Sequence, residues 1–179
     1  MGDVFLRALD EQDLEQTYQW HNDPELYHRL GGTIHFVSRM TEKEWLARKT
    51  VFSNQEIMLA ICLREDGSHI GNIYLRNLDW VARNGELQIF LGNGAERGKG
   101  HGYQAMQLLI KHAFLDLGLI RIYLFVLEDN PAAIQLYRRC GFQLEGKLRQ
   151  HTFNNGVFKD YLLMGLCKGI DWIPPTEET

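Results

Sequence analysis

The sequence predicts an α/β fold of the mixed α+β kind, one sheet with helices against it, and three observations carry that expectation. Apolar runs of strand length at 57–63, 70–78 and 86–91 follow one another across Glu65-Asp66-Gly67-Ser68 and Ala82-Arg83-Asn84-Gly85. Those turns are too short for a parallel crossover, so the runs form an antiparallel meander. Two stretches of helical period come next, separated by an almost continuously apolar strand at 120–127, as expected in the middle of a sheet. A chain of 179 residues, 45% hydrophobic and without repeat, linker or low-complexity block, buries one core.

From the start of the chain, 4–9 is a strand of imperfect alternation. Asp10 caps a helix, with Asp13 three residues on and Leu14, Thr17, Tyr18 and His21 at helical spacing. Asn22-Asp23-Pro24 breaks it, and Pro24 opens another short helical turn through Tyr27. Gly31-Gly32 marks a flexible loop before Ile34-His35-Phe36-Val37. Thr41-Glu42-Lys43-Glu44 reads as a capping box, with Trp45 opening a helix to about Val51. After the meander, Tyr103, Met106, Leu109, Ile110, Ala113, Phe114 and Leu117 make a broad helical stripe that Gly118 ends. Asn130 caps the next helix with Pro131 at its first position; Ala133, Ile134 and Tyr137 share one side, and Gly141 ends it. Residues 142–148 and 157–166 pair around Phe153-Asn154-Asn155-Gly156, a hairpin signal, and 173–179 is a loose tail.

Composition excludes several classes. A net charge of −4 with scattered basic residues argues against a nucleic-acid partner. There is no apolar stretch of membrane-spanning length and no basic-then-apolar leader, so no membrane partner and a cytoplasmic location are expected. Cys62, Cys140 and Cys167 contain no CxxC pair, and the seven histidines no HExxH frame; neither a disulfide framework nor a metal site is expected.

The chemistry centres on Arg97-Gly98-Lys99-Gly100-His101-Gly102-Tyr103, which joins a strand to a helix. Glycines let the backbone approach an anion, and the first amides of a helix lack intrahelical partners. The positive helix end, Arg97 and Lys99 act in the same direction. A Walker loop needs Ser or Thr after its lysine, where Gly100 stands. A dinucleotide fingerprint counted from Gly98 needs glycine where Tyr103 stands, and an acid that 120–127 lacks.

Arg97-x-x-Gly100-x-Gly102 instead matches the pyrophosphate-binding signature of the GNAT superfamily of acetyl-CoA-dependent N-acetyltransferases. Asn130-x-x-Ala133-Ile134-x-x-Tyr137-x-x-x-Gly141-Phe142 resembles that superfamily's later motif at the same spacing. Likeness to the branch of ribosomal-protein N-terminal and spermidine N-acetyltransferases lies in Trp20-x-Asn22-Asp23-Pro24, Gly85-Glu86-Leu87-Gln88-Ile89, and Gly146-x-Leu148-Arg149 before Phe153-x-Asn155-Gly156. The resemblance covers residues 4–166. It implies a single domain over 1–179, with acceptor-side helices and the first strand in 1–55 and the sheet and acetyl-CoA core in 56–168. It implies a mostly antiparallel, splayed sheet flanked by helices, with the pantetheine arm between the diverging strands on the main chain of Ile89, Phe90 and Leu91. By the same likeness, Arg97, Gly98, Lys99, Gly100, His101 and Gly102 hold the pyrophosphate. Asn130 and Ala133 hold the cofactor arm, and Tyr137 lies by the thioester sulfur. Acetyl-CoA is the implied cosubstrate, without a metal.

Acetyl transfer to nitrogen requires a neutral amine. At a reference pKa of about 10.4, only about one polyamine-like amine in 2,500 is neutral at pH 7, costing roughly 4.6 kcal/mol; a protein α-amine loses about 1 to 1.4 kcal/mol. Glu86, at the start of the strand whose far end carries the cofactor, is the candidate base, directly or through water, against a reading as a solvated strand-edge carboxylate. Tyr137 is the candidate acid, against a reading as core packing. A phenol near 10 facing a thiol near 8.5 is uphill by about 2 kcal/mol, so hydrogen bonding to the sulfur serves as much as full donation. Trp20, Tyr27 and His35 are the candidate acceptor contacts, with Trp80 and Phe153 as further aromatics. Three functions stay open: N-acetylation of a polyamine, other small amine or protein N-terminal amine; a non-catalytic acyl-CoA-binding or sensing module; and a generic nucleotide-binding domain. The exposed edge of the final hairpin offers a homodimer contact.

Overall fold

A computed structural model of the protein describes residues 2–174; the end of the predicted loose tail, 175–179, lies outside the described residues. One sheet of seven strands runs in the order β1-β2-β3-β4-β5-β7-β6. The strands are β1 (Val4–Ala8), β2 (Ile57–Leu63), β3 (His69–Asp79), β4 (Asn84–Leu91), β5 (Arg121–Leu127), β6 (Gln143–Asn154) and β7 (Val157–Cys167). Every neighbouring pair is antiparallel except β4 and β5, and β2, β3 and β4 are the predicted meander. The helices are α1 (Leu14–His21), α2 (Pro24–Leu30), α3 (Arg39–Lys49), α4 (His101–Lys111), continued by a π-helical turn at His112–Asp116, and α5 (Pro131–Arg139).

Side-chain alternation decides what each face of the sheet meets. In β2, Ile61 joins a large core with α4 and α5, while Ala60 and Cys62 join a smaller cluster with Leu9 and Leu46. In β3 to β5, Ile73, Leu75, Leu87, Ile122, Leu124 and Val126 enter the large core. Their alternating neighbours, among them Tyr74, Arg76, Gln88, Phe90 and Phe125, line a cavity on the α1–α3 face. The α4 stripe is borne out: Met106, Leu109, Ile110, Ala113 and Phe114 are fully buried.

Two of the predicted caps are present. Asp13 Oδ2 accepts from the Asp10 amide at 2.8 Å over a 3-10 turn, Glu11–Asp13, that leads into α1. Asn130 Oδ1 accepts from the Ala133 amide at 3.1 Å at the start of α5. The third differs. The cap of α3 is Ser38, whose Oγ accepts from the Thr41 amide at 3.1 Å, so the helix begins at Arg39, upstream of Thr41. Thr41 and Glu44 therefore lie within the helix rather than forming a capping box at its start, and Glu42, in the first turn, is 1% exposed.

The Gly31-Gly32 segment is also tied down rather than free. The Gly31 carbonyl accepts from Thr152 Oγ1 at 2.8 Å and from the Tyr161 hydroxyl at 3.1 Å. Asn154 Nδ2 donates to the carbonyls of His28 and Gly32 at 3.2 Å each. The distant β6–β7 hairpin supplies all these bonds, and they fix α2, which extends to Leu30, over the middle of the sheet.

A buried ion pair anchors the first strand to the start of α1. Arg7 donates to both oxygens of Asp13 at 2.7 Å, and Asp13 is 2% exposed. Burial pushes the Asp13 carboxyl up, but the bonds from Arg7 and the Asp10 amide outweigh it and hold the group below the usual carboxylate range. Asp13→Ala is expected to cost about 2 to 3 kcal/mol, leaving Arg7 half-buried and unpaired. A depressed folded pKa contributes stability above the unfolded value near 3.9 and loses it as pH falls through the lower, folded value. Urea unfolding of both proteins should therefore show the gap narrowing between pH 6 and pH 2.

Candidate active site

β4 and β5 pair at Asn84–Arg121, Gly85–Ile122 and Glu86–Tyr123 and then part. Beyond Glu86, the main-chain groups of β4 on that side have no strand partner, and a ligand with amide groups can complete them. Two cavities meet at this wedge. The first, about 800 Å³, is lined by Ile89, Phe90 and Leu91 and by Arg97, Gly98, Gly100 and Gly102. The second, about 370 Å³, lies on the α1–α3 face, with Trp20, Tyr27, Tyr74, Arg76, Gln88 and Tyr161 in its wall. Ile89, Phe90, Asn130, Ala133 and Tyr137 line both.

The glycine turn suits a pyrophosphate through its backbone. Gly98 and Gly100 have φ of 78° and 91°, and a Cβ at either would meet no atom within 4 Å. Glycine is required there by conformation, and the space above the turn is open. Among the described residues, the amides of 98–103 have no acceptor, and the buried Nδ1 of His101 has no partner. The expected help from cationic side chains takes another form. Arg97 donates to the Leu91 carbonyl through Nε at 3.1 Å and Nη2 at 2.9 Å. Lys99 Nζ bonds both oxygens of Glu96 at 3.0 and 3.1 Å, and His101 Nε2 lies 3.1 Å from Glu96 Oε2. The Lys99 and His101 side chains thus serve the turn itself, and the unpartnered main-chain amides are left on its open side.

Tyr137 is 8% exposed, and burial, with a smaller contribution from Cys140, pushes its phenol up to about 12. Asn130 caps α5 and places its Nδ2 3.4 Å from the Arg29 carbonyl, joining α5 to α2. Glu86 is 7% exposed. Its Oε2 accepts from Asn77 Nδ2 at 2.8 Å and its Oε1 lies 3.5 Å from Arg76 Nη2. Glu86 is not among the residues lining either cavity, whereas Arg76 lines the second.

Trp20 packs edge-on against His69 and Phe90, with centroids 4.8 and 5.5 Å away. A Cβ on Gly92 would fall 2.0 Å from its ring, so the glycine link after β4 is shaped by Trp20. Tyr27 lines the second cavity. His35, Trp80 and Phe153 do not line either cavity. His35 is exposed on an irregular segment; Trp80 donates its Nε1 proton to the Asn54 carbonyl at 2.7 Å; and Phe153 packs on Phe158 at the hairpin tip. The sequence reading missed His21, Arg29, Tyr74, Arg76, Phe125 and Tyr161 in the cavity walls. For Tyr74, Arg76 and Phe125 the signal existed, since they alternate with core positions. For His21 and Arg29, at helix ends, no local signal existed.

Among the described residues, no group of three or more His, Cys, Asp or Glu comes together as a metal site, and no helix is long and apolar enough to cross a membrane.

Residues 3–143 match the family model described as an acetyltransferase (GNAT) domain. The chain belongs to the GNAT acetyltransferase family. Spermidine N(1)-acetyltransferase from Vibrio cholerae is 30% identical over 157 residues, 87% of each chain. The crystal structure of spermidine N-acetyltransferase from Vibrio cholerae in complex with CoA and spermine superposes with a TM-score of 0.84, at 28% identity over 92% of this chain and 95% of that one; another structure of that enzyme is dodecameric. A putative ribosomal N-acetyltransferase from Bacillus subtilis is 36% identical over 103 residues, 58% of this chain and 56% of that one. The protein is an acetyl-CoA-dependent N-acetyltransferase that transfers acetyl to a primary amine, and these relatives give no support to a non-catalytic module.

Gly100→Ala forces a left-handed alanine at the cap of α4, at a cost of about 1 to 2 kcal/mol. Calorimetry should show CoA binding weakened by about tenfold.

Proposed function

We propose that the acceptor is a polyamine-like primary amine seated in the second cavity and acetylated where the two cavities share Tyr137. The observation that carries this reading is the shared wall at the wedge, one side open to the glycine turn and the other to the α1–α3 face. The spermidine acetyltransferase relatives support the acceptor class.

Acetyl-CoA supplies an activated acetyl thioester. The amides of Gly98, Lys99, Gly100, His101 and Gly102, at the positive end of α4, hold its pyrophosphate. The main chain of Ile89, Phe90 and Leu91, on the side of β4 without a strand partner, binds the amide-bearing arm and polarises the thioester carbonyl. Arg97 keeps that edge in place by binding the Leu91 carbonyl. Asn130 and Ala133 form the opposite wall.

Tyr137 faces the leaving sulfur. With its phenol near 12 and a thiol near 8.5, full proton transfer to the thiolate is uphill by about 5 kcal/mol, more than twice the figure for an unburied phenol. Tyr137 therefore works by donating a hydrogen bond to the sulfur. Glu86 acts at one remove, holding Arg76 in the cavity wall or ordering a water there. Trp20 and Tyr27 shape the acceptor's seat; His35 has no place in it.

A second reading concerns the acceptor's charge. Lys49 pairs with Glu56 and Arg76 with Glu86, but Arg29 lines both cavities and no ion pair to it is found among the described residues. An acceptor carrying an anion beside its amine would use Arg29.

We also propose a homodimer through the β6–β7 hairpin, where Phe153, Val157 and Phe158 are 52 to 64% exposed, and a cytoplasmic setting, which suits three free thiols.

An acetyl-CoA assay across spermidine, amino acids and amino-sugar phosphates, read as free thiol, tests the acceptor. Turnover only with anionic amines would replace the polyamine. Tyr137→Phe should lower kcat by about 10²-fold with CoA affinity changed less than about threefold. Glu86→Gln should cost under about tenfold; a loss of 10² or more would restore it as the direct base.

A further inference from the structure

We propose that His21, oriented by Glu42, takes the proton from the acceptor's ammonium. This rests on the amine-acetylating reading above and names the base that reading leaves open.

His21 ends α1 and lines the second cavity. Its Nδ1 lies 2.7 Å from Glu42 Oε2, and its ring stands edge-on against Trp45, centroids 4.5 Å apart. A carboxylate only accepts, so the proton sits on Nδ1 and Nε2 keeps its lone pair. Among the described residues, Nε2 has no hydrogen-bond partner.

Glu42 is 1% exposed, and its Oε1, also buried, has no partner. A buried carboxylate that leaves one oxygen unsatisfied is costly unless its charge serves something. Here it faces an imidazole, and it stabilises the imidazolium that forms when Nε2 is protonated. Its charge also reaches the cavity: Tyr27 is pushed up by burial first and then by Glu42.

Elimination points the same way. Glu56 lines the cavity but is paired with Lys49. Arg76 is held by Glu86, and Arg29 is a permanent cation. Tyr27, Tyr74, Tyr137 and Tyr161 are all pushed up by burial, away from neutral pH. Among the residues lining the second cavity, His21 is left as the side chain with a lone pair free to accept a proton.

The proton balance is as follows. Nε2 takes one proton as the ammonium N–H breaks, and the freed lone pair forms the C–N bond while C–S breaks. The nitrogen's second surplus proton ends on the sulfur beside Tyr137, and His21 returns its proton to solvent.

The test is the pH dependence of kcat/KM with spermidine, and with butylamine as a second probe. With the dyad acting, the rate does not follow the amine's own ionisation near pH 10, because the base takes the proton from the abundant ammonium form. In His21→Gln it should fall by about 10² at pH 7 and climb with unit slope toward the amine's own pKa near 10, and imidazole should rescue His21→Ala. Glu42→Gln should reduce the rate with the same change of shape. An unchanged profile in His21→Gln overturns the proposal, as does a histidine ¹⁵N spectrum showing His21 protonated at Nε2. Wild-type protein that acetylates no amine defeats the functional reading instead, and the ¹⁵N spectrum still decides the dyad's geometry.

Discussion

The parting of β4 from β5 is the constraint on which the site depends. Three residues of parallel pairing hold the strands together at Glu86, and past that point each satisfies its backbone on one side only. Unsatisfied amides and carbonyls inside a protein are costly, so the wedge persists because a ligand completes it and because side chains from both helical layers fill it. Leu26 arrives from α2 and Tyr137 from α5. The glycine turn, the cap at Asn130 and the buried phenol all converge on that opening, which makes them a site rather than separate motifs.

Charge is managed differently on the two sides of the wedge. On the cofactor side the cations near the turn are bound by partners in the chain, Lys99 by Glu96 and Arg97 by the end of β4, so the anion is left to oriented amides. On the acceptor side most charges are paired within the wall, Lys49 with Glu56 and Arg76 with Glu86. The exceptions are Arg29 and His21, whose partner Glu42 lies buried behind it. A nearly neutral wall with two unspent groups has the character of a selective seat, since discrimination comes from the few polar groups that lack a partner without substrate.

Much of this was legible before any coordinates. Helix caps at Asp10 and Asn130, the α4 stripe and the meander follow from contacts a few residues apart, where residue type and spacing suffice. The cofactor side was equally legible, because binding an anion with a backbone needs glycines at positive φ next to a helix start, and both are written locally. The cap of α3 was misplaced because Ser38 and Thr41 are both good caps, and the choice turned on burying Glu42. His35, Trp80 and Phe153 were named for their chemistry in segments that pack elsewhere.

The sequence by itself determined the fold class, the family and the glycine turn proposed to hold acetyl-CoA, all carried by short-range patterns. Only the tertiary structure decided the acceptor side. Its wall combines α1, α2, α3 and the sheet face opposite the core, and α2 is fixed by bonds from Thr152, Asn154 and Tyr161 far along the chain. It also set Glu86 beside Asn77 and Arg76, outside the cavity walls, while a contact between α1 and α3 brings His21, in the wall, to Glu42. Pairings across long loops leave no periodic trace in a single sequence, and those pairings define the acceptor's seat.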